Sequence, residues 1–404
     1  MHRHKKKEKI KYQPIPAREI LLEIKNLSEL MIDLAYSAAL FKDKDLAEDV
    51  VELEERVDTL AYLFNIKLML AARDAEDAKI LSGVAKIASA ADKISDAAGD
   101  VANIVLQDIG VHPIIADIFE RVEEKLAKIR IPENSSIAGM KICHLDPASM
   151  GIDIIAIHRG GDWIINPSGE ETIKGNDIIV IRGVQNGINE FREKVGEKIT
   201  RGEEEIIRKI IWEERFKDVI KRFIELKDLP ELMIDLAYSA LILNSRELAE
   251  EVQKLEEYVD RLHTEFELLV LSSGFVEREA KGILGLIRLG VAAEKISDAA
   301  AEIAEIILRG IEPHPLIKMT VENAEETVIY AQVSPDSILI NKTIREVRIP
   351  EETGMWILAI KRGNKIIRPR PDTKIEVNDI IIAAGYSQGK EDLINLTSPK
   401  LKTQ

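Results

Sequence analysis

The chain has 404 residues, a formal net charge of −15, 46% hydrophobic residues and only 4% aromatics. That acidity works against broad nucleic-acid binding, which needs Lys and Arg against phosphate, so no nucleic-acid partner is expected. The length allows roughly two to four domains with aliphatic cores. Cys143, the one cysteine, excludes an intramolecular disulfide and a cysteine-built zinc site and reads as a small apolar filler.

No apolar run approaches the roughly 18 residues that span a bilayer, and no transmembrane segment or signal-peptide core is expected. The expected place is the cytoplasm, with membrane association through a partner. The first residues run the other way in charge: His2, Arg3, Lys5, Lys6, Lys7, Lys9 and Lys11 predict a solvated tail or a contact with anionic lipid or an acidic partner.

In chain order, apolar residues from about Ala17 to Gln107 recur at spacings of three and four, a helical period. Leu22, Leu30, Leu34, Ala38 and Phe41 predict a first helix, broken by the polar run from Asp43 to Asp45. Leu46, Val50, Val57, Leu60 and Phe64 predict a second, to about Arg73. A third carries Ile80, Val84, Ile87, Ala91, Ile94, Ala98, Val101 and Val105. Such seams make an antiparallel bundle. Gly110 and Pro113 end it, and a shorter helix is expected from about Ile114 to Leu126.

At about Ile131 the period changes. The run from Ile152 to Ile157, the turn at Arg159 to Asp162, the return strand from Trp163 and the apolar run after Asp177 predict a small α+β domain ending near Val195. A charged stretch from Arg201 to Glu214 reads as a connector, and the programme then repeats. The ten residues Glu29 to Ala38 recur letter for letter at Glu231 to Ala240, 202 positions on, and Asp96 and His112 return as Asp298 and His314 at the same distance. A period of domain size is tandem duplication rather than a solenoid. The predicted fold class is multidomain α and α+β: helical bundles over residues 17–126 and 211–328, each an antiparallel three-helix bundle, followed by small domains over 127–195 and 329–396.

The small domain, with Asn341-Lys342-Thr343-Ile344, Gly354 to Arg362, Ile366-Ile367-Arg368-Pro369 and Asn378-Asp379 before an apolar strand and Gly385, resembles the TrkA C-terminal (RCK C-terminal) domain. The helical units are similar to PhoU, through Asp92-Lys93-Ile94-Ser95-Asp96 and Glu294-Lys295-Ile296-Ser297-Asp298. The whole order resembles archaeal potassium-channel-related proteins. The resemblance implies a regulatory unit of cation transport whose small domains pair and sense a ligand at their interface. No Gly-x-Gly-x-x-Gly turn occurs, so dinucleotide binding of the Rossmann kind is not carried over.

Two sets of candidate site residues follow. Glu54 and Asp58, Asp92 and Asp96, and in the second copy Glu256 and Asp260, Glu294 and Asp298, are spaced by four and share helix faces. Such faces offer oxygen ligands to a divalent or iron-type metal, as PhoU relatives do, or are simply solvated stripes off the apolar seam. Arg159 and Arg362 follow the first hairpin strand, and Arg368 and Arg370 flank Pro369, with Asn166 at the first-copy position of Arg368. Guanidinium groups near a pairing seam suit phosphate or a cyclic dinucleotide, the ligand class that the resemblance implies. Asp33 and Asp235 read as partly buried, hydrogen-bonded carboxylates or inter-helix salt bridges, and His112 and His314 as groups at the negative end of a helix dipole.

No nucleophile with its base and no phosphate-cradling loop appears, so no enzymatic activity is expected. The expected function is a regulatory subunit that senses a small ligand and controls potassium or other cation transport through a separate membrane transporter or channel, as a homo-oligomer in which residues 131–195 and 332–396 pair. A metal-binding regulator of phosphate uptake, and a dimerisation scaffold without ligand, are the alternatives.

Overall fold

A computed structural model describes residues 14–119, 125–196, 203–321, 326–363, 365–367, 369 and 373–399. The basic head lies outside these residues. Helices α1 (Ala17–Phe41), α2 (Lys44–Ala71) and α3 (Ala75–Leu106) form the first bundle. Asp43 caps α2 by accepting from the Leu46 N–H, and Asp74 caps α3 by accepting from Glu76 and Asp77. Leu34, Val50, Phe64, Val84 and Ile94 are fully buried at its centre, on the stripes that the spacing predicts.

The short helix α4 is described over Ile114–Phe119, and Leu126, expected at its end, belongs to a strand instead. That strand, β1 (Lys125–Arg130), is followed by α5 (Ile142–Leu145), β2 (Ile152–Arg159), β3 (Asp162–Ile165), β4 (Ile178–Gly183) and α6 (Gln185–Val195). The sheet is antiparallel in the order β1-β4-β2-β3. The sequence hides β1 because Lys125, Lys128 and Arg130 dilute its apolar content; only Ala127 and Ile129 turn inward.

The second half repeats the first. Its opening helix α7 (Glu203–Leu243) begins at once, so the charged stretch is helical rather than a loose connector. From Glu203 to Glu214 it has no Gly or Pro to stop a helix, and further on α7 runs through Pro230. α8 (Arg246–Ser272), α9 (Ala280–Leu308) and α10 (Pro315–Val321) follow, then β5 (Glu326–Gln332), α11 (Ile344–Val347), α12 (Ile349–Thr353), β6 (Met355–Arg362), β7 (Lys365–Ile367), β8 (Ile380–Tyr386) and α13 (Lys390–Thr397), with sheet order β5-β8-β6-β7.

The two bundles share one hydrophobic core. α3 packs on α9, and two reciprocal ion pairs clasp them: Lys93 to Glu302 at 2.6 Å and Lys295 to Asp100 at 2.7 Å. Each residue in one pair is the repeat equivalent of its counterpart in the other, as an approximate twofold axis requires. Each sheet uses both faces. Ile152, Ile154, Ile179 and Ile181 belong to the first small domain's own core, whereas Ile155, Ala156 and Val180 join the core of the bundles. A bulge between Ile154 and Ala156, repeated between Ile357 and Ala359, accompanies this arrangement. The small domains also touch each other, through residues 147–150 of the first and α12 of the second.

Candidate functional site

The identical decapeptides lie near this axis. Lys25 of α1 sits over the Tyr238 ring at 5.0 Å, and Tyr36 of α1 is under the influence of Glu231 and Lys227 of α7. Both stretches therefore contribute where the two halves face each other.

Asp33, within the first decapeptide, is 5% exposed and accepts a hydrogen bond from the Arg182 guanidinium of β4, itself 8% exposed. Arg182 also lies 3.5 Å from Asp153 of β2. The partner of Asp33 is thus a strand of the small domain, not another helix. Asp43, besides capping α2, accepts from Lys128 of β1 at 2.8 Å. Two charged contacts therefore latch the first sheet to the first bundle.

A cavity of about 380 Å³ lies where the decapeptides meet the second sheet. Asp33 and Glu29 border it from α1, Glu231 and Asp235 from α7, Trp356 from β6 and Ala384 from β8, with Arg182 also on its wall. Among the described residues, six carboxylates and two cationic side chains line it. The sequence reading missed this place, although one signal was available: in two otherwise aligned copies, Arg182 becomes Ala384 and Asp153 becomes Trp356.

The arginines singled out from sequence do something else. Arg159 donates to both carboxylate oxygens of Asp177, at 2.9 and 2.7 Å, to Glu171 at 2.7 Å and to the Thr172 carbonyl at 2.7 Å. Arg362 does the same with Asp379, at 2.8 Å twice, with Glu376 and with the Lys374 carbonyl. Asp177 and Asp379 are 1% exposed. These guanidinium groups, which the sequence reading expects to face a ligand, pin a hairpin to the turn before the next strand. Asn166 is exposed in a left-handed turn after β3, with φ 47°. Arg368 and Arg370 lie outside the described residues.

The acidic stripes do converge. Glu256, Asp260 and Asp298 each bring a carboxylate oxygen within 4.8 Å of the others, with Glu294 close enough to interact. In the first half Glu54 and Asp58 of α2 gather with Asp96 and Asp100 of α3, where Asp92 is half-buried. Glu54 leans over Gly99, where any Cβ would overlap its carboxylate; the second copy has Ala301 at that place. Burial first, and then Asp96, Asp100 and Asp58, push the Glu54 carboxyl up to about 7. Burial, Asp260 and Asp298 move Glu256 in the same direction.

The sign of the pH effect follows. Folded Glu54 keeps its proton to about pH 7 while the unfolded chain releases it near 4.5, so the stability that neutral Glu54 provides is complete below that lower value and is lost as pH rises to about 7. Glu54→Gln should therefore stabilise more at pH 8 than at pH 5, by about 1–2 kcal/mol once solvent screening is allowed for. Urea unfolding at the two pH values checks this, and equal effects would contradict it. His112 differs from its expected role as a charged cap: it is 2% exposed, its ring 4.8 Å from that of Phe216, and burial lowers its pKa.

The TrkA-C domain family matches residues 126–196 and 328–397, and the PhoU domain family matches residues 21–105 and 223–307. Each half of the chain is a PhoU domain joined to a TrkA-C domain. Over 106 residues the chain is 34% identical to the Ktr system potassium uptake protein C of Bacillus subtilis, covering 26% of this chain and 47% of that protein. Over 78 residues it is 37% identical to Potassium channel protein 1 of Methanocaldococcus jannaschii, covering 19% and 23%. The chain thus spans less than half the length of these curated relatives. Among solved structures it is similar to PhoU from Pseudomonas aeruginosa, with 15% identity, a TM-score of 0.39, and 73% of this chain and 96% of that one covered. It is also similar to the GsuK RCK domain, with 14% identity, a TM-score of 0.18, and 69% and 64% covered. Among the described residues of these PhoU and TrkA-C domains, no helix is long and apolar enough to cross a membrane.

Proposed function

We propose that this chain is a cytoplasmic, non-enzymatic regulatory component of a potassium transport system, which senses a small ligand and passes the change to a membrane transporter or channel made as a separate chain. The observation that carries the reading is the coupling of the two domain types. One face of each TrkA-C sheet belongs to the core of the PhoU bundles, and Arg182 latches the first sheet to Asp33. A change in a TrkA-C domain therefore has a packed route to the helices, because cores shift between discrete arrangements rather than deforming smoothly. The likeness to potassium uptake and potassium channel proteins supports the choice of ion. Rubidium uptake in cells lacking this chain, compared with the same cells supplied with it, tests the reading; unchanged uptake at every external potassium level would remove it.

A second reading, metal-dependent control of phosphate uptake, draws on the carboxylates of Glu256, Asp260 and Asp298. It predicts that purified chain titrated with manganese or ferrous iron binds more tightly as pH rises, since the ligands must lose their protons. It also predicts that Asp298→Asn loses that binding; metal uptake unaffected by this change would set the reading aside.

A further inference from the structure

We infer that His112 makes the crossing from the first PhoU bundle to the first TrkA-C sheet a proton-sensitive joint, so that acid loosens the passage from α3 through α4 to β1. Each half carries a His-Pro pair at this crossing. Pro113 and Pro315 stand at the start of α4 and α10, where a missing N–H costs nothing, and the imidazole before each serves as the cap. His112 Nδ1 accepts from the Ile114 N–H at 3.4 Å, and His314 Nδ1 accepts from the Leu316 N–H at 3.1 Å. A ring nitrogen that has taken up a proton from water can no longer accept, and a positive ring at a helix N-terminus opposes the helix dipole. Each cap therefore exists only while Nδ1 is bare.

The two histidines differ in their surroundings. His112 is 2% exposed, and its own N–H donates to the Gly282 carbonyl of α9 at 3.2 Å. A Cβ at Gly282 would stand 2.9 Å from His112 Cα, so α9 packs directly on this backbone. The ring lies against Phe216 of α7, the helix on which α4 also packs. The second half thus clamps the joint of the first. Among the described residues, the charged groups that reach this ring are Glu279 and Arg215, which pair with each other at 2.9 Å. Burial is the largest influence and lowers the pKa of His112. The unfolded chain charges this residue near 6.5 and the folded chain only at lower pH. The stability of the joint is therefore complete above about pH 6.5 and is lost as pH falls through the folded value. His314 makes the same cap but is only half-buried, with Asp77 within electrostatic reach, so a charge there is not sealed from water.

Hydrogen exchange of the full chain at pH 7.5 and pH 5.0, corrected for the intrinsic rate at each pH, is the test. The α4 amides should exchange about tenfold faster at pH 5.0, while those of α10 change by less than about twofold. His112→Asn keeps an acceptor oxygen near the place of Nδ1 but takes up no proton, so its α4 response should vanish. Each protein is read against itself at pH 7.5, which cancels any packing lost with the ring. His314→Asn should leave the α4 response as in the parent. The inference is overturned if the parent's α4 amides are equally protected at both pH values, if His112→Asn responds like the parent, or if α10 responds as strongly as α4. Histidine ring NMR on the unaltered chain gives a second measure that needs no variant: His112 should titrate below pH 6.5, and titration at or above that value would equally overturn the inference. None of these results bears on ligand sensing or rubidium uptake, so this joint and the reading above can fail separately.

Discussion

Replacing Arg182 by Ala should destabilise the chain by about 3–5 kcal/mol, because the change strands the Asp33 carboxylate in a place where it is 5% exposed. The loss should be much smaller when both partners go. Asp33→Asn combined with Arg182→Met removes the charges together and fills similar volume, so the double variant should recover most of the stability lost by the single one. A pair that merely decorated the surface would give an Arg182→Ala effect below about 1 kcal/mol and no recovery. Urea unfolding of the three proteins decides between these outcomes, and hydrogen exchange in β4 should speed up in the single variant, since β4 carries the latch.

The second large effect concerns the seam between the halves. Gly285 of α9 lies against the backbone of Gly110 and Val111, so that a Cβ at Gly285 would overlap the Gly110 carbonyl oxygen. Its repeat equivalent, Gly83 of α3, faces the side-chain methyls of Ile306 and Ile311, 3.2 Å from where a Cβ would stand. Backbone gives way less easily than the ends of isoleucine side chains. Gly285→Ala should therefore cost about 2–3 kcal/mol from forced separation of the packed elements, despite the better helix propensity of Ala. Gly83→Ala should lie within about 1 kcal/mol of the parent, because the same propensity gain offsets a small repacking. A matched loss at both positions in thermal melts would mean that the two sides of the seam are equally tight, contrary to the geometry.

Much of the architecture was legible in the letters. The repeat register, the three helical stripes per half and the turns of the small domains are local patterns, and local patterns survive into the fold. What the letters hid was set by contact across the chain. β1 was missed because its alternation is carried by Ala127 and Ile129 alone. Arg159 stood beside a tight turn and resembled a free ligand-binding group until Asp177, Glu171 and the Thr172 carbonyl were found around it. Asp33 and Arg182 are 149 positions apart, and no periodicity connects a helix to a strand of another domain. Glu54 belonged to a visible stripe, yet its burial depends on Gly99 of a neighbouring helix being without a side chain. The cavity had a written trace in the exchange of Arg182 for Ala384, but its meaning needed the place of Asp33 and Asp235 in space.

The joining of both halves in one chain also removes a variable. Two separate subunits come apart on dilution below their dissociation constant, and their output then follows the amount of protein made. Here α7 begins at Glu203, soon after α6 ends at Val195, and a tether that short holds the second half at an effective concentration on the order of millimolar around the first. Pairing between the halves is thus insensitive to expression level. A contact between the two halves therefore forms at the same level in a dilute as in a crowded solution of the chain.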